Sequence, residues 1–320
     1  MKFIWQKLKR PFFVLAPMED VTDSVFRRIV GKYAPPDVYI TEFTNTDALT
    51  SLGEKSALQR LLFTEKERPI IAQIWGIHPT KFYEAAQRIA AMGFDGIDIN
   101  MGCPQREIIK DGACSALIAN HELAKHIIDA TKKGAPELPL SVKTRIGMQS
   151  IETEKWIGFL LEQQLDALII HARTAKEMSD VPAHWNEVKK AVELRDAKGQ
   201  QAVVIGNGDV IDREDGKKKA RETGADGIMI GRGVFHNLFA LGDNSSVWPT
   251  LAPEQKISIL KEHVRLFDKT WGKHKKFAVL KKFFKIYVNG FPNASAMRMK
   301  FMETTTHEEA IVLANSILSK

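Results

Sequence analysis

The stretch FDGIDINMGCPQR (residues 94–106) joins a predicted strand to a predicted turn. Its first half, FDGIDI, is an apolar run of the kind that forms a buried strand. Its second half contains a glycine, a cysteine and a proline, which are typical of a rigid turn. Cys103 is therefore predicted to lie where a strand ends. A thiol there is either a packing residue or a reactive group at the mouth of a pocket, and for Cys103 taken alone a packing role is favoured.

Similar apolar runs recur along the first 233 residues. Most are continuous instead of alternating, as expected when a parallel sheet buries both of its faces. Segments with helical periodicity, such as 79–93 and 120–134, separate them. The eight runs are FFVLAPM (12–18), VYITEF (38–43), IIAQIW (70–75), GIDINM (96–101), LSVKTRI (140–146), ALIIHAR (167–173), AVVIGNG (202–208) and GIMIGRG (227–233).

Eight strands alternating with helices over about 230 residues predict an α/β fold of the (β/α)8 TIM barrel type. The alternative is a doubly wound open sheet, whose first turn in dinucleotide-binding proteins carries the pattern G-x-G-x-x-G. The corresponding turn here, PMEDVT, lacks that pattern. Because the strands of a barrel all end on one face, the polar residues at these ends are expected to meet there. They are Glu42, Gln73, Asn100, Lys143, Arg145, His171, Arg173, Asn207 and Arg232.

The composition is that of an ordinary globular enzyme. Apolar residues make up 44% of the chain and charged residues 27%, both usual values. Two cysteines are too few for a disulfide framework or a cysteine-rich zinc module, and the sequence contains no HExxH pair. Pro11 and Pro17 interrupt the apolar N-terminus, and no later run is long enough to span a membrane. We expect a cytoplasmic monomer with no metal site and no membrane partner.

The strand pattern stops at LGDNSSVWPTLAPEQ (241–255), whose composition is typical of a linker. Three segments with a helical pattern follow, and we predict a catalytic barrel over residues 1–244 and a small all-helical domain over residues 245–320. The helical segments are KISILKEHVRLFDKTW, KKFAVLKKFFKIYV and EEAIVLANSILSK.

The net charge of +7 resides in the last 70 residues, which contain 13 basic and 6 acidic side chains. In the middle helical segment one predicted face is apolar and another is basic. A localised basic surface is typical of a protein that binds a polyanion, and a merely solvated helix is the alternative. The apolar face comprises Phe277, Leu280, Phe284 and Val288, and the basic face Lys275, Lys281, Lys282 and Lys285.

Two glycine-rich strand ends occur late in the chain, IGNGD (205–209) and IGRG (230–233). They occupy the seventh and eighth strand positions, where barrels frequently bind phosphate through backbone amides. Glycine permits close approach of the backbone, and Arg232 could add a charged hydrogen bond. Two tight turns without a ligand are the alternative.

Lys143 is predicted to end an otherwise apolar strand, where an ammonium group is costly unless it meets an anion. The N1–O2 edge of a reduced flavin provides such an anion. His171 and Gln73 could hydrogen-bond other edges of the same ring. A phosphorylated sugar would satisfy the same groups, so these residues alone leave both ligands open.

Taken together, these segments resemble the tRNA-dihydrouridine synthases, in the family's order and across the whole barrel. The tail LKKFFKIYVNGFPNASAMR is similar to the family's helical tRNA-binding region. The resemblance implies a barrel that binds FMN, is reduced by NADPH, and reduces particular uridines of tRNA to 5,6-dihydrouridine. The matching barrel segments are APMEDVTDSVFR, TEF, AQIWG, DINMGCP, VKTRIG, HART, GNGDV and GRG.

The resemblance also implies roles for individual residues. Cys103 would be the catalytic acid that protonates C5 of the uracil after hydride has reached C6. That role requires a neutral thiol, so we expect its pKa not to be strongly lowered. The residues implied to contact FMN are Pro17, Met18, Gln73, Lys143, His171, Asn207, Gly208, Gly231 and Arg232. From the polar strand ends and the basic tail, we predict that Asn100, Arg145, Arg173, Lys281, Lys282 and Lys285 bind the tRNA substrate.

The chain departs from the family pattern near the seventh strand end. Ala172 stands where the family often has glycine, and the loop 175–185 differs from the family's stretch. If the backbone at position 172 packs against the FMN phosphate, the alanine would shift that contact. We expect the changed loop to affect the position of the substrate more than the reaction. Cys114 occupies a position where the family usually has a small residue, and a packing role is expected for it.

Two other functions fit part of the pattern. An FMN barrel acting on a small molecule, such as a dihydroorotate or ene-type dehydrogenase, would not need the basic tail. An RNA-binding protein with a vestigial flavin site would not need Cys103, Lys143 and His171.

Overall fold

The strands form a ring. The computed structural model describes residues 4–51 and 54–318, and within them nine parallel strands make one sheet, in the order β1-β9-β8-β7-β6-β5-β4-β2 with β3 beside β4. A parallel bridge between Val14 and Val38 joins the two ends of this order. The sheet is thus a nearly closed TIM barrel, as predicted. The strands are β1 (Phe12–Leu15), β2 (Tyr39–Ile40), β3 (Thr44–Asn45), β4 (Ile70–Trp75), β5 (Gly96–Met101), β6 (Leu140–Arg145), β7 (Ala167–His171), β8 (Val203–Asn207) and β9 (Gly227–Ile230).

The predicted strand 38–43 is interrupted. Its paired part is β2, and the chain then forms the separate short strand β3. At the interruption, the hydroxyl of Thr41 accepts a hydrogen bond from the backbone amide of Gln73 (3.1 Å). The Thr41 hydroxyl replaces a backbone carbonyl as the acceptor. The strand β2 can therefore end early without leaving the amide of Gln73 unsatisfied.

Alternate strand residues enter two different apolar layers. In β1, Phe12 and Val14 belong to a cluster inside the barrel, while Phe13 and Leu15 belong to the layer between the sheet and the helices. The inner cluster also contains Trp5, whose ring lies 5.9 Å from that of Phe12. This alternation is the two-residue period of a strand. It explains why the strands read as continuous apolar runs.

The helices pack outside the ring, and the two helices predicted at 79–93 and 120–134 are present. The α-helices are α1 (Ile4–Lys7), α2 (Ser24–Tyr33), α3 (Thr46–Leu49), α4 (Lys55–Arg60), α5 (Pro79–Ala91), α6 (Arg106–Lys110), α7 (His121–Gly134), α8 (Thr153–Leu161), α9 (Trp185–Ala197), α10 (Arg213–Thr223), α11 (Gly233–His236), α12 (Pro253–Trp271), α13 (Phe284–Tyr287), α14 (Ala294–Glu303) and α15 (His307–Leu318). In the described part of the chain, none is long and apolar enough to cross a membrane.

The same alternation places polar side chains inside the barrel at the carboxyl ends of the strands. In β6, the side chain of Val142 belongs to the outer layer. Because side chains alternate along a strand, that of the next residue, Lys143, points toward the interior of the barrel. In β7, Ile169 is an inner residue, so His171 is the next inner position. The predicted convergence of polar strand ends on one face is therefore present.

The helical region after the barrel packs on α2. The indole of Trp271 donates to the carboxylate of Asp23 (2.8 Å), which also accepts from Lys275 (2.9 Å) and caps α2. Glu262 of α12 accepts from the hydroxyl of Tyr33 (2.6 Å). The apolar residues of this region belong to the same cluster as the outer layer of the barrel. The predicted domain limits stay a prediction, and their outermost residues, 1–3 and 319–320, lie outside the described chain.

The segment 241–255, which was predicted to be a linker, is packed against its neighbours. Residues Ser245–Thr250 form a 3-10 helix, and Trp248 within it is 3% exposed. The Trp248 ring lies 5.2 Å from that of Phe239 and 6.3 Å from that of Tyr287. The polar composition suggested an exposed segment, but one aromatic side chain anchors it between the barrel and the tail.

The segment 275–288 is not one amphipathic helix. A 3-10 helix over Phe277–Phe283 precedes the short α13. Lys275, which was assigned to the basic face, turns toward the barrel and pairs with Asp23. The apolar positions Leu280, Phe284 and Val288 are buried as predicted, and Phe277 is half-buried.

Candidate active site

A cavity of about 530 Å³ opens at the carboxyl ends of β1 and of β6 to β9. Eight of the nine residues predicted to contact FMN line it, namely Pro17, Met18, Lys143, His171, Asn207, Gly208, Gly231 and Arg232. Seven residues that were not individually predicted also line it: Ala16, Ser179, Asp209, Val210, Ile211, Gly233 and His236. Most of the missed residues follow the glycine-rich ends of β8 and β9, so those two motifs could have located them.

Lys143 places a half-buried ammonium group on the cavity wall. Burial, together with the charge of Arg145, lowers the pKa of Lys143 to about 8. Its Nζ lies 3.2 Å from Oδ1 of Asn207, and within residues 4–51 and 54–318 it forms no salt bridge. A half-buried cation with a neutral partner needs a further acceptor or an anion, which a ligand in the cavity would provide.

His171 lies on the cavity wall as a neutral ring. Its Nε2 is 3.1 Å from Nη1 of Arg173. Because a guanidinium can only donate, Nε2 is the acceptor and the proton of the neutral ring is on Nδ1. Burial, followed by the charges of Lys143, Arg145 and Arg173, holds the pKa of His171 far below its ordinary value. His171 is thus a hydrogen-bond donor without a charge.

Arg173, which was predicted to bind substrate, is 2% exposed. Its Nε donates to the carbonyl of Val181 (2.6 Å), one Nη contacts His171, and the other pairs with Asp209. Asp209 also accepts from Arg232 (3.1 Å) at the rim of the cavity. Arg173 therefore holds His171 and Asp209 in place, and the guanidinium at the rim is that of Arg232.

The glycines at the cavity differ in what a side chain would meet. Gly208 has φ +127°, and a Cβ there would lie 2.8 Å from Cβ of Ala183. A Cβ on Gly233 would lie 2.6 Å from the carbonyl oxygen of Ile211. A Cβ on Gly231 would be 3.4 Å from Cβ of Ala16, which is ordinary contact. The protein itself excludes larger residues at 208 and 233, whereas at Gly231 it leaves room.

Gln73 does not line the cavity, unlike the other predicted FMN contacts. It is fully buried, and its amide donates to Asp98 (2.7 Å) and accepts from Asn100 (3.1 Å). Asp98 also accepts from Ser141 (2.6 Å), and burial raises the pKa of Asp98 to about 6. Gln73 is therefore one link in a buried chain of hydrogen bonds that runs across β4, β5 and β6.

This chain of hydrogen bonds ends at Cys103. The side-chain oxygen of Asn100 accepts from the backbone amides of Gly102 and Cys103, both at 3.0 Å. Arg145, 5% exposed, donates to the carbonyl of Gly102 (2.9 Å) from the other side. Asn100 and Arg145 were predicted to bind substrate, and in the structure both shape the turn that carries the thiol. Arg145 also donates to the carbonyls of Thr174 and Met178, both at 2.8 Å.

The thiol of Cys103 is half-buried and contacts Cys114. A hydrogen bond from Cys114 lowers the pKa of Cys103 to about 7, with burial acting in the opposite direction and Gln105, Arg145 and Lys143 assisting. Burial raises the pKa of Cys114 well above its ordinary value. The pKa of Cys103 is thus lower than expected from the sequence, because the contact with Cys114 was not predicted.

The remaining basic residues lie on the helical region. Lys281, Lys282 and Lys285 line a groove of about 620 Å³ together with Arg298 and the exposed Met299 and Met302. Lys282 also donates to the carbonyl of Asp20 (2.8 Å) in the loop after β1. In the same loop, the amide of Met18 donates to the hydroxyl of Thr22 (2.8 Å). Met18 lines the cavity, so one loop touches both the groove and the cavity.

Among residues 4–51 and 54–318, no three or more His, Cys, Asp or Glu side chains are grouped so as to hold a metal ion.

Comparison with known proteins identifies one family. Residues 14–320 match the model of the family described as dihydrouridine synthase. The chain is 45% identical over 312 residues to the "Probable tRNA-dihydrouridine synthase" of Staphylococcus aureus strain COL, covering 97% of this chain and 94% of that protein. It is 41% identical over 319 residues to the "Probable tRNA-dihydrouridine synthase 2" of Bacillus subtilis strain 168, covering 99% and 97% respectively.

Solved structures share the fold at low identity. A variant of morphinone reductase in complex with tetrahydroNAD superposes with a TM-score of 0.51 at 13% identity, over 75% of this chain and 88% of that one. A 2-naphthoyl-CoA reductase in complex with 2-naphthoyl-CoA superposes with a TM-score of 0.56 at 12% identity, over 75% and 52%. At these identities the likeness concerns the barrel architecture alone.

The low pKa of Cys103 can be measured by alkylation. We expect the rate of reaction of Cys103 with iodoacetamide to rise with pH through a midpoint near 7, because the thiolate is the reactive form. Replacing Cys114 with glycine removes the donor and should move the midpoint upward. Mass spectrometry of the Cys103 peptide provides the rates, and identical midpoints in the two proteins would contradict the role of Cys114.

Proposed function

The chain belongs to the dihydrouridine synthase family, and from this premise we propose that it reduces particular uridines of tRNA to 5,6-dihydrouridine, with FMN as its flavin and NADPH as the reductant. The observations that support the proposal most directly are the cavity at the strand ends, whose wall carries the Lys143 ammonium group, and the Cys103 thiol in the turn after β5, whose pKa is lowered in part by the charge of Lys143. Cys103 itself is not among the described residues that line the cavity. The likeness to reductases of small molecules concerns the barrel architecture, so it does not decide between substrates.

The cavity suits FMN in size and in chemistry. Its volume of about 530 Å³ lies within the range of about 300–1,000 Å³ usual for ligand sites. Glycine backbones of β8 and β9 and the Arg232 guanidinium suit the phosphate, and Lys143 suits the anionic edge of the ring. Asn207 would keep Lys143 oriented, and neutral His171 would donate to a ring acceptor. When bound, FMN supplies the hydride that reaches C6 of the uracil.

Cys103 would supply the proton. After hydride has reached C6, the enolate of the uracil must be protonated at C5, and the thiol is the acid. A pKa of about 7 suits this role near neutral pH, since a good general acid has a pKa close to the operating pH. Asn100 and Arg145 would act by holding the backbone of the turn, so that the thiol points to one place.

Two departures from the family pattern are compatible with this site. Ala172 is fully buried in the outer layer of the barrel, and its carbonyl accepts from the amide of His184 (2.7 Å). Its methyl group therefore packs outward, away from the cavity. The changed loop is ordered by its own bonds, since Glu177 accepts from the amide of Thr174 (2.8 Å) and contacts the ring of His184 (2.9 Å).

The basic groove would bind the phosphate backbone of tRNA. Lys282 and Lys285 are exposed and Lys281 is half-buried. With Arg298 they give the groove four basic side chains, against one carboxylate, Glu303, among the described residues that line it. Phosphate contacts position a folded RNA without reading its sequence. They would offset the few kcal/mol needed to unstack a base and bring it to the barrel.

The proposed reaction can be tested with unmodified tRNA transcripts. We expect FMN-loaded protein under anaerobic conditions with NADPH to convert uridine to a nucleoside heavier by two hydrogens, detected by mass spectrometry. Cys103→Ala should lower the rate by about 10²–10⁴-fold, the usual contribution of a general acid. A flavin that NADPH reduces, together with no change in any uridine, would overturn the proposal.

The FMN site can be tested with two matched glycine variants. Gly231→Ala should leave the melting temperature nearly unchanged, because a Cβ there makes only ordinary contacts, and it should weaken FMN binding if the phosphate lies against this backbone. Gly233→Ala should lower the melting temperature, because its Cβ would meet a backbone carbonyl. Fluorescence titration with FMN measures the affinity, and an unchanged affinity of Gly231→Ala would contradict the placement of the phosphate.

The groove can be tested by charge reversal. Changing Lys281, Lys282 and Lys285 to Glu should abolish tRNA binding at moderate salt and flatten its salt dependence, because each phosphate that the protein no longer neutralises lowers the slope by about 0.7–0.9. The control changes Lys133, Lys155 and Lys189 on the outer barrel helices, which alters the net charge equally. Equal binding by the two triple variants in filter-binding assays would exclude the groove as the docking surface.

A further inference from the structure

The structure brings together the two cysteines of the sequence. Cys103 lies in the turn after β5, and Cys114 begins a 3-10 helix over Cys114–Ala119. Both pack in a small apolar cluster with Ile108 and Ala113, and a hydrogen bond joins the two thiols. In the proposed reaction Cys114 donates no proton to the substrate, and its part there is the hydrogen bond that lowers the pKa of Cys103.

Backbone hydrogen bonds keep Cys103 and Cys114 next to each other. The amide and the hydroxyl of Ser115 both donate to the carbonyl of Cys103, at 3.4 and 2.9 Å. The residue next to Cys114 is thus fixed to the backbone of Cys103. Cys114 itself has φ +52°, a left-handed conformation that costs a residue with a Cβ about 1–2 kcal/mol and that glycine adopts freely. The thiol is therefore present at a position where the backbone alone would favour glycine.

The two thiols differ in access to solvent. Cys103 is half-buried, whereas Cys114 is fully buried. A small oxidant from solvent would therefore meet Cys103 first. The lowered pKa of Cys103 increases its thiolate fraction, and the thiolate is the form that oxidants attack.

We propose that Cys114 is a resolving thiol, which captures a peroxide-oxidised Cys103 as a reversible Cys103–Cys114 disulfide. The Cys103 thiolate attacks one oxygen of hydrogen peroxide, the O–O bond breaks, and a sulfenic acid and water result once a proton is taken up. The sulfur of Cys114 then attacks the sulfur of that sulfenic acid, the S–O bond breaks, and a second water leaves with the thiol proton. In total, two thiols are oxidised and one peroxide is reduced to two waters.

The disulfide would stop the reduction of uridine, because the proton donor is then absent. It would also prevent oxidation of Cys103 to sulfinic and sulfonic acids, which thiols do not reverse. Loss of activity rests on the proposed function, whereas formation of the disulfide does not.

The test uses the FMN-loaded full-length protein, exposed to hydrogen peroxide and digested with trypsin without reduction. Cleavage after Arg88, Arg106, Lys110 and Lys125 places Cys103 and Cys114 on separate peptides, 89–106 and 111–125. In the wild type we expect these two peptides to be joined, and dithiothreitol to release them and restore the lost activity. In Cys114→Gly, which fits the left-handed backbone, we expect Cys103 sulfinic acid and a loss that dithiothreitol does not reverse.

Cys114→Ser is the second variant, since it keeps a side chain of similar size and should respond like Cys114→Gly. The absence of joined peptides in the wild type while Cys103 becomes oxidised would overturn the proposal. If the peptides are joined but no uridine is reduced by untreated protein, the proposed function fails and the resolving role of Cys114 stands.

Discussion

Each strand of this barrel must supply side chains to two apolar layers at once, and this requirement determines where polar side chains can gather. Apolar side chains, beginning with Trp5 and Phe12, fill the interior of the barrel, so the strands are buried on their inner faces as well as their outer faces. Toward their carboxyl ends the inner positions become polar. The ammonium group of Lys143 and the neutral imidazole of His171 therefore lie next to the apolar interior of the barrel, where water cannot solvate them freely. This arrangement lowers the pKa of both groups and makes a ligand that accepts their hydrogen bonds favourable.

The buried chain of hydrogen bonds from Ser141 through Asp98, Gln73 and Asn100 has a different role. Its members are fully buried except Asn100, which is slightly exposed, and its last two bonds end on the amides of the Cys103 turn. Each amide and carbonyl in the chain has one orientation that satisfies its neighbours. The turn is therefore fixed by residues that lie deep in the sheet, as expected for a reactive group that must be held in one place.

The eight strands and the polar face could be predicted from the sequence because they depend on local patterns, namely continuous apolar runs and the residues that end them. Tertiary packing decided what could not be predicted. Trp248 anchors a segment whose composition suggested a linker, and Lys275 leaves the basic face because Asp23 lies within reach. The burial of Arg173 depends on partners contributed by three separate segments. The contact of Cys103 with Cys114 depends on how α6 folds back, which no spacing rule describes.

The loop after β1 connects the helical tail to the cavity. The backbone carbonyl of Asp20 in this loop accepts a hydrogen bond from Lys282 of the tail. Met18 in the same loop lines the cavity at the mouth of the barrel. A ligand in the groove and a ligand in the cavity would therefore contact the same short loop, through Lys282 at Asp20 and directly at Met18. Energetic coupling between two such sites is reciprocal. If an occupant of the groove drew Lys282 away, the loop that carries Met18 would lose this hydrogen bond, and the groove and the cavity would be linked through it.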